Sequence, residues 1–147
     1  ELGAVAGPAL LDYLRRGKEV EALIKLEAIA VAAVAHHDGT GAGTYPLAAQ
    51  AVCSPGAAAN AAPVNSPPET WAASPWVELG FAIPHPHVYR YCYQSNADQS
   101  RFAAWAEAAL AGSEVDSVFC LVSELNSANE AVAGSAHKLA AGETCQP

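Results

Sequence analysis

The chain has no methionine and only seven Lys and Arg against 15 Asp and Glu. At a net charge of −8 it has no basic face large enough to neutralise a phosphate backbone, which excludes nucleic acid as a partner. No apolar run reaches the roughly 18 residues that a membrane helix needs. The hydrophobic start from Leu2 to Ala6 is too short to span a bilayer, so the chain as given is expected to be soluble. It also carries no secretory leader, so export would require a targeting segment lost or encoded upstream. No Cys pair has C-x-x-C spacing and no Cys falls close to a His at a metal-site interval, which leaves zinc and dithiol redox chemistry without support. There is no G-x-S-x-G elbow and no Gly-rich phosphate loop, so the Ser, His and carboxylate residues lack a catalytic frame and no enzyme is expected. Aromatics are 7% of the residues while Ala supplies much of the 52% apolar content, which predicts a thin core.

The 147 residues amount to one domain, long enough to bury a core without special staples. Cys53, Cys92, Cys120 and Cys145 are widely spaced and predict two disulfides, hence an oxidising compartment and export. Three connectivities are open at this point.

Three stretches differ in character. From Leu10 to Ala35, Leu10, Leu14, Val20, Ile24, Ala28, Val31 and Val34 recur at helical steps, the period of one helix face, and Leu11, Leu23, Leu26 and Ile29 broaden that stripe. Gly39 after His36-His37-Asp38 is a natural stop. Roughly 27 residues of helix spans about 40 Å, more than a small domain needs. Residues 1–38 therefore read as a stem with a change of character at Pro8. Residues 39–87 are broken by Gly and Pro throughout and read as a long loop, gripped by Trp71, Trp76, Leu79 and Phe81 and expected to wrap over a sheet. Residues 88–147 hold the strands. Tyr89, Tyr91 and Tyr93 alternate with Val88, Arg90 and Cys92, and Val118, Cys120 and Val122 alternate with Phe119 and Leu121. A weak edge strand falls within Glu130 to Lys138. Arg101 to Leu110 has helix propensity at a strand's position. The pattern predicts an α+β fold, one long N-terminal helix packed on a small antiparallel sheet.

Few side chains suggest chemistry. His85 with His87, and His36 with His37, are spaced for a transition metal, but no carboxylate or thiolate joins them, and solvent-facing turn and helix-end histidines are the simpler reading. Glu114 and Asp116 supply two oxygens where calcium takes six to eight. No metal and no cofactor is therefore assigned. Tyr89, Tyr91 and Tyr93 make an aromatic strip that serves either a carbohydrate or protein ligand in an exported binding module, or a core.

The segment Pro8 to Ala22, with its proline, Tyr13, the basic cluster Arg15, Arg16 and Lys18, and then Glu21-Ala22, resembles the stretch that follows the membrane-embedded part of the stem in type IV pilins and type II secretion pseudopilins. Tyr45-Pro46, the segment from Trp76 to Phe81, the Tyr-rich strand and Phe102 to Ala106 are similar in order to what many bacterial pilins carry after their helix. The resemblance implies a helical stem whose second half packs on a four-stranded antiparallel sheet, and it makes Arg101 to Leu110 a strand. It implies Cys120 paired with Cys145, closing a surface loop, and with it Cys53 paired with Cys92. The family's most apolar half-stem is absent here, and Glu1 is not its register-setting glutamate. The implied role is structural: an inner-membrane-anchored precursor that polymerises with copies of itself or other pilins into a cell-surface filament or periplasmic pseudopilus. Leu11, Tyr13, Leu14 and Leu23 are then expected to pack on neighbouring stems, and Arg15, Arg16 and Lys18 to pair with acidic heads of adjacent copies. Leu2 to Ala6 should find little partner surface within the chain.

Overall fold

The computed structural model of the chain describes residues 2–147; the side chains of residues 2–8, 11 and 12 lie outside the described residues, and with them the expectations for Leu2 to Ala6 and for Leu11. Helix α1 runs from Leu2 to Gly39, 38 residues or about 57 Å at 1.5 Å per residue. It starts upstream of Pro8 and ends at Gly39, where the Thr40 N–H donates to the His36 carbonyl. The rest of the chain builds an antiparallel sheet from β1 (Val52–Cys53), β2 (Arg90–Ser95), β3 (Phe102–Ala108), β4 (Ser117–Leu125) and β5 (Ala131–Ala133) in that spatial order, with β6 (His137–Lys138) also pairing with β4. The α+β arrangement of a long helix on an antiparallel sheet is as the pattern predicts. The sheet is larger than the four strands implied, because the loop contributes β1 and the C-terminal segment contributes both β5 and β6.

β3 shows why propensity misleads at Phe102-Ala103-Ala104-Trp105-Ala106. The strand lies between β2 and β4 and its backbone is hydrogen-bonded on both sides, in a register that pairs Ala104 with Tyr93 and with Leu121. Alternation then sorts its side chains. Phe102, Ala104, Ala106 and Ala108 join the core under α1, while Ala103 and Trp105 join a smaller cluster on the far face with Cys120 and Cys145. Alanine, a helix former in isolation, is here the spacer that lets a helix approach a sheet closely.

The core is fuller than the composition suggests. Nine of the eleven aromatic residues are buried, Trp105 is half-buried, and Tyr13 alone is exposed, at 72%. Stabilisation of about 1.5–3 kcal/mol for each large side chain removed from water makes this aromatic set a main part of what holds the head together. Burial pushes the Tyr89 phenol up to about 12 and raises Tyr91 and Tyr93 further, since an anion has no solvation there. Their hydroxyls are anchored where the chain provides partners: Tyr89 shares a hydrogen bond with Ser117 at 2.8 Å and Tyr93 donates to the Pro46 carbonyl at 2.8 Å.

The loop from residue 40 to residue 89 wraps as expected but is more structured than its Gly and Pro content indicates. Helix α2 (Pro68–Ala72) opens on two prolines, whose fixed φ and missing N–H suit a first turn. Helix α3 (Trp76–Leu79) ends at Gly80, which takes φ 62 and returns its N–H to the Trp76 and Val77 carbonyls. The two short helices stand Trp71 and Trp76 edge to face, 5.4 Å apart. Gly56 lets the loop graze β2, since a Cβ there would meet the Arg90 Cα at 2.9 Å. The disulfide Cys53–Cys92 joins β1 to β2, and Cys120–Cys145 fastens the C-terminus to β4.

Candidate functional site

Helix α1 crosses β3, β4 and β5 with only one of its faces. That inner face is Ala22, Leu26, Ile29, Ala30 and Ala33, all fully covered. At 100° per residue, Val20, Ile24 and Val31 point almost the opposite way, and they are 53%, 59% and 63% exposed. Continuing the same line towards the N-terminus gives Gly17, Tyr13 and Leu10, and towards the C-terminus Ala28 and Ala35, all exposed. The series Leu10, Tyr13, Gly17, Val20, Ile24, Ala28, Val31, Ala35 advances by steps of three and four with no charged member. This is the spacing of a helix–helix seam. Ionic residues, among them Arg16, Glu21 and Glu27, flank it.

The periodic residues read as one helix stripe thus divide. Val20, Ile24 and Val31 belong to the outward seam, while Leu26 and Ile29, read as a broadening of the stripe, are the buried side. The physical reason is the sheet under the helix. Its helix-facing surface sets the small Ala104 and Ala106 of β3 beside Leu121 and Phe119 of β4, and it meets the face of α1 that is rich in alanine. Leu23, expected on a neighbour's stem, is instead half-buried against this chain's own core. Tyr13 and Leu14 are exposed as expected, and so are Arg15 and Arg16, while Lys18 is half-buried. Opposite apolar stripes at helical spacing were the available signal, and side-chain size was what distinguished them.

Arg15 and Lys18 continue the line of the inner face, Lys18 one turn before Ala22, at the point where α1 runs off the sheet. There α1 borders a groove of about 460 Å³ with Leu14, Arg15 and Lys18 on one wall and Asn60, Leu110 and Ala111 on the other. The second wall is held by Asn60 and Ala61, both at positive φ, whose N–H groups donate to Gly112 and Ala109 carbonyls. Asp116, considered for calcium, accepts the N–H groups of Leu110 and Ala111 at 2.8 and 2.9 Å and so fixes the β3–β4 turn. Lys138 pairs with Glu19 at 3.8 Å beside it.

The histidines are dispersed. His36 Nδ1 lies 3.1 Å from the Thr44 carbonyl, His37 pairs with Asp38, and His85 is exposed. His87 is buried, with Nε2 2.7 Å from Ser66 Oγ and Nδ1 2.7 Å from the Tyr89 carbonyl, and burial holds it below the ordinary imidazole range. Neutral imidazole satisfies both contacts, Nδ1–H donating to the carbonyl and Nε2 accepting from the serine. The pair ties the loop to the start of β2, under Trp71, and its two ring contacts are to a serine and a backbone carbonyl. Among the described residues no group of three or more His, Cys, Asp or Glu gathers to hold a metal. Tyr89, Tyr91 and Tyr93 are 2%, 1% and 0% exposed, so the aromatic strip is core and offers no face to a ligand. Among the described residues no helix is long and apolar enough to cross a membrane. Compared with protein-family models, with curated proteins and with solved structures, the chain matches none.

Proposed function

We propose that the protein is a structural subunit of a pilin-like filament, a type IV pilus or a related pseudopilus, exported, anchored as a precursor in the bacterial inner membrane, and polymerised through its N-terminal helix. One observation carries the reading: α1 bears a second apolar seam, free of charge, facing away from the head it supports. An unpaired helix face of this kind gains about 25 cal/mol for each Å² it removes from water, and a neighbouring stem is the partner whose shape repeats its own. The two disulfides fit an extracytoplasmic head. The order of stem, loop, Tyr-rich strand and closing cysteine pair supports the same class. Its chemistry is assembly; adhesion, motility or secretion would follow from the filament.

The test is filament formation in cells by the full-length protein carrying Ile24→Asp with Val31→Asp. The expected result is loss of filaments with a head that folds as before, judged by an unchanged melting temperature of the purified chain. Normal filaments from that variant would overturn the assignment. An exported carbohydrate-binding module, the other reading of the Tyr strip, loses its motive with those rings in the core.

A further inference from the structure

The outer seam of α1 reads nearly the same from either end. Paired about a point level with Ala22, Val20 falls opposite Ile24, Gly17 opposite Ala28, Tyr13 opposite Val31 and Leu10 opposite Ala35. Large residues thus meet at the centre and small ones meet a turn further out. The borders of the seam share this symmetry. At 100° per residue, Arg16 and Glu27 lie along one side of it and Glu21 and Lys25 along the other. Within each of these pairs the charges are opposite and stand at nearly equal distances from the centre. Arg15, Lys18 and Glu19 turn towards the inner face, where Glu19 pairs with Lys138, and Asp38, past the end of the seam, pairs with His37. On the Glu27 side, α1 leaves a trough of about 460 Å³ against residues 133–136, lined also by Leu23, Val31 and Leu121.

We infer that a second copy of the chain covers this seam, antiparallel, in a two-fold symmetric pair. Tyr13 of each copy, 72% exposed in the single chain, then lies over the trough beside Val31 of the other. Arg16 faces Glu27 of the second copy, its methylenes running along the trough, and Glu21 faces Lys25 of the second copy. Every contact occurs twice, as an isologous interface requires. Two facts set the direction. An antiparallel pair brings the positive N-terminal end of each helix beside the negative C-terminal end of the other. Full burial of α1 begins only at Ala22, so each head then sits beside the bare first half of the other stem, which separates two chains of net charge −8. Exposed ion pairs are weak singly, so the charges fix direction and register while the apolar seam supplies most of the affinity. The inference goes beyond the filament reading and does not need it: the pair closes at two copies, where a filament repeats.

The experiment is sedimentation equilibrium of the purified chain over a dilution series, joined to carbodiimide coupling of a mixture of unlabelled and nitrogen-15-labelled chain read by mass spectrometry. Expected are a monomer–dimer equilibrium and mixed-isotope links from Lys25 to Glu21. Those two residues are also a turn apart within one helix, so only mixed-isotope links count. Glu27→Arg sets like charges together twice per pair and should raise the dissociation constant about tenfold. Adding Arg16→Glu to that variant should bring it back towards the starting value, because the two charges have only changed places along one border. A chain that stays monomeric throughout would overturn the pair. So would links from Lys25 to Glu27 in place of Glu21, or a double variant that associates no better than Glu27→Arg alone, since both mark a parallel arrangement. If the purified chain is monomeric while Ile24→Asp with Val31→Asp removes filaments, the pair falls and the filament reading stands. If the chain pairs as described and that variant still forms filaments, the filament reading falls and the pair stands.

Discussion

The two faces of α1 are made of similar material and meet opposite fates. The inner face, three alanines with Leu26 and Ile29, is sealed against the sheet, whereas the outer face carries Val20, Ile24 and Val31 into solvent. Hydrophobicity alone does not choose between them, since each carries large apolar side chains among small ones. What decides is the surface opposite. Ala104, Ala106 and Ala108 of β3 leave room for the helix while Phe102, Phe119 and Leu121 on the same sheet face pack around it, and dispersion is gained atom by atom across that contact. The outer face is then left as an unpartnered apolar stripe, which is what an assembly element requires and a solitary domain avoids.

Truncations separate the two faces most sharply. Leu26→Ala and Ile29→Ala should each destabilise the folded chain by about 2–5 kcal/mol, read from urea midpoints, because each opens a cavity under the helix. Ile24→Ala and Val31→Ala should stay within about 0.5 kcal/mol in the same assay. An outer-face substitution as costly as an inner one, in dilute monomer, would mean that the chain itself covers the seam.

The next effect concerns the side of the sheet that α1 does not cover. Cys120 and Cys145 close a chain separation of 25 residues and anchor the small cluster with Ala103. Replacing both with Ser should cost about 2–4 kcal/mol, from the larger freedom of the unfolded chain. Full assembly competence below the variant's melting point is expected, since the seam lies on the opposite side of the molecule. Loss of assembly in a folded double-Ser variant would move the functional surface to the C-terminal segment.

The smallest expected effect is a pH dependence on the helix side of the sheet. His87 is buried neutral, its imidazole below the ordinary range because burial disfavours the cation. The unfolded chain takes up a proton at about pH 6.5, while the folded chain waits for a lower pH. Between those points the unfolded state binds more protons, so stability falls as pH drops below about 6.5 and is fully present above it. Urea midpoints from pH 8 to pH 5 should show this slope, and His87→Gln should flatten it. A slope of the opposite sign would mean that His87 is charged in the fold.

Much of the fold was legible because its signals are local. The helix stop at Gly39, the alternation around Tyr91 and Tyr93 and the punctuation of the loop all follow from neighbouring residues. The small helices at Pro68 and Trp76 were hidden because four or five residues carry too little periodicity to stand out from a Pro-rich background. The candidate site was legible only in part. Tyr13, Leu14 and Arg15 fall on exposed positions, but Leu23 turned inward and Val20, Ile24 and Val31 turned outward. A rotation of α1 about its own axis exchanges those sets without changing the period of either.

The sequence by itself determined that a long helix exists, that it is apolar on more than one side, that a Tyr-bearing strand follows a long loop, and that the net charge is −8. Only the tertiary structure decided which side of the helix is covered and that the loop and the C-terminal segment add strands to the sheet, while Phe102 to Ala108 is the strand that the resemblance implied against its propensity. Period and propensity are properties of adjacent residues. The choice between two apolar faces, and between helix and strand for an alanine-rich segment, depends on the shape of surfaces brought together from distant parts of the chain.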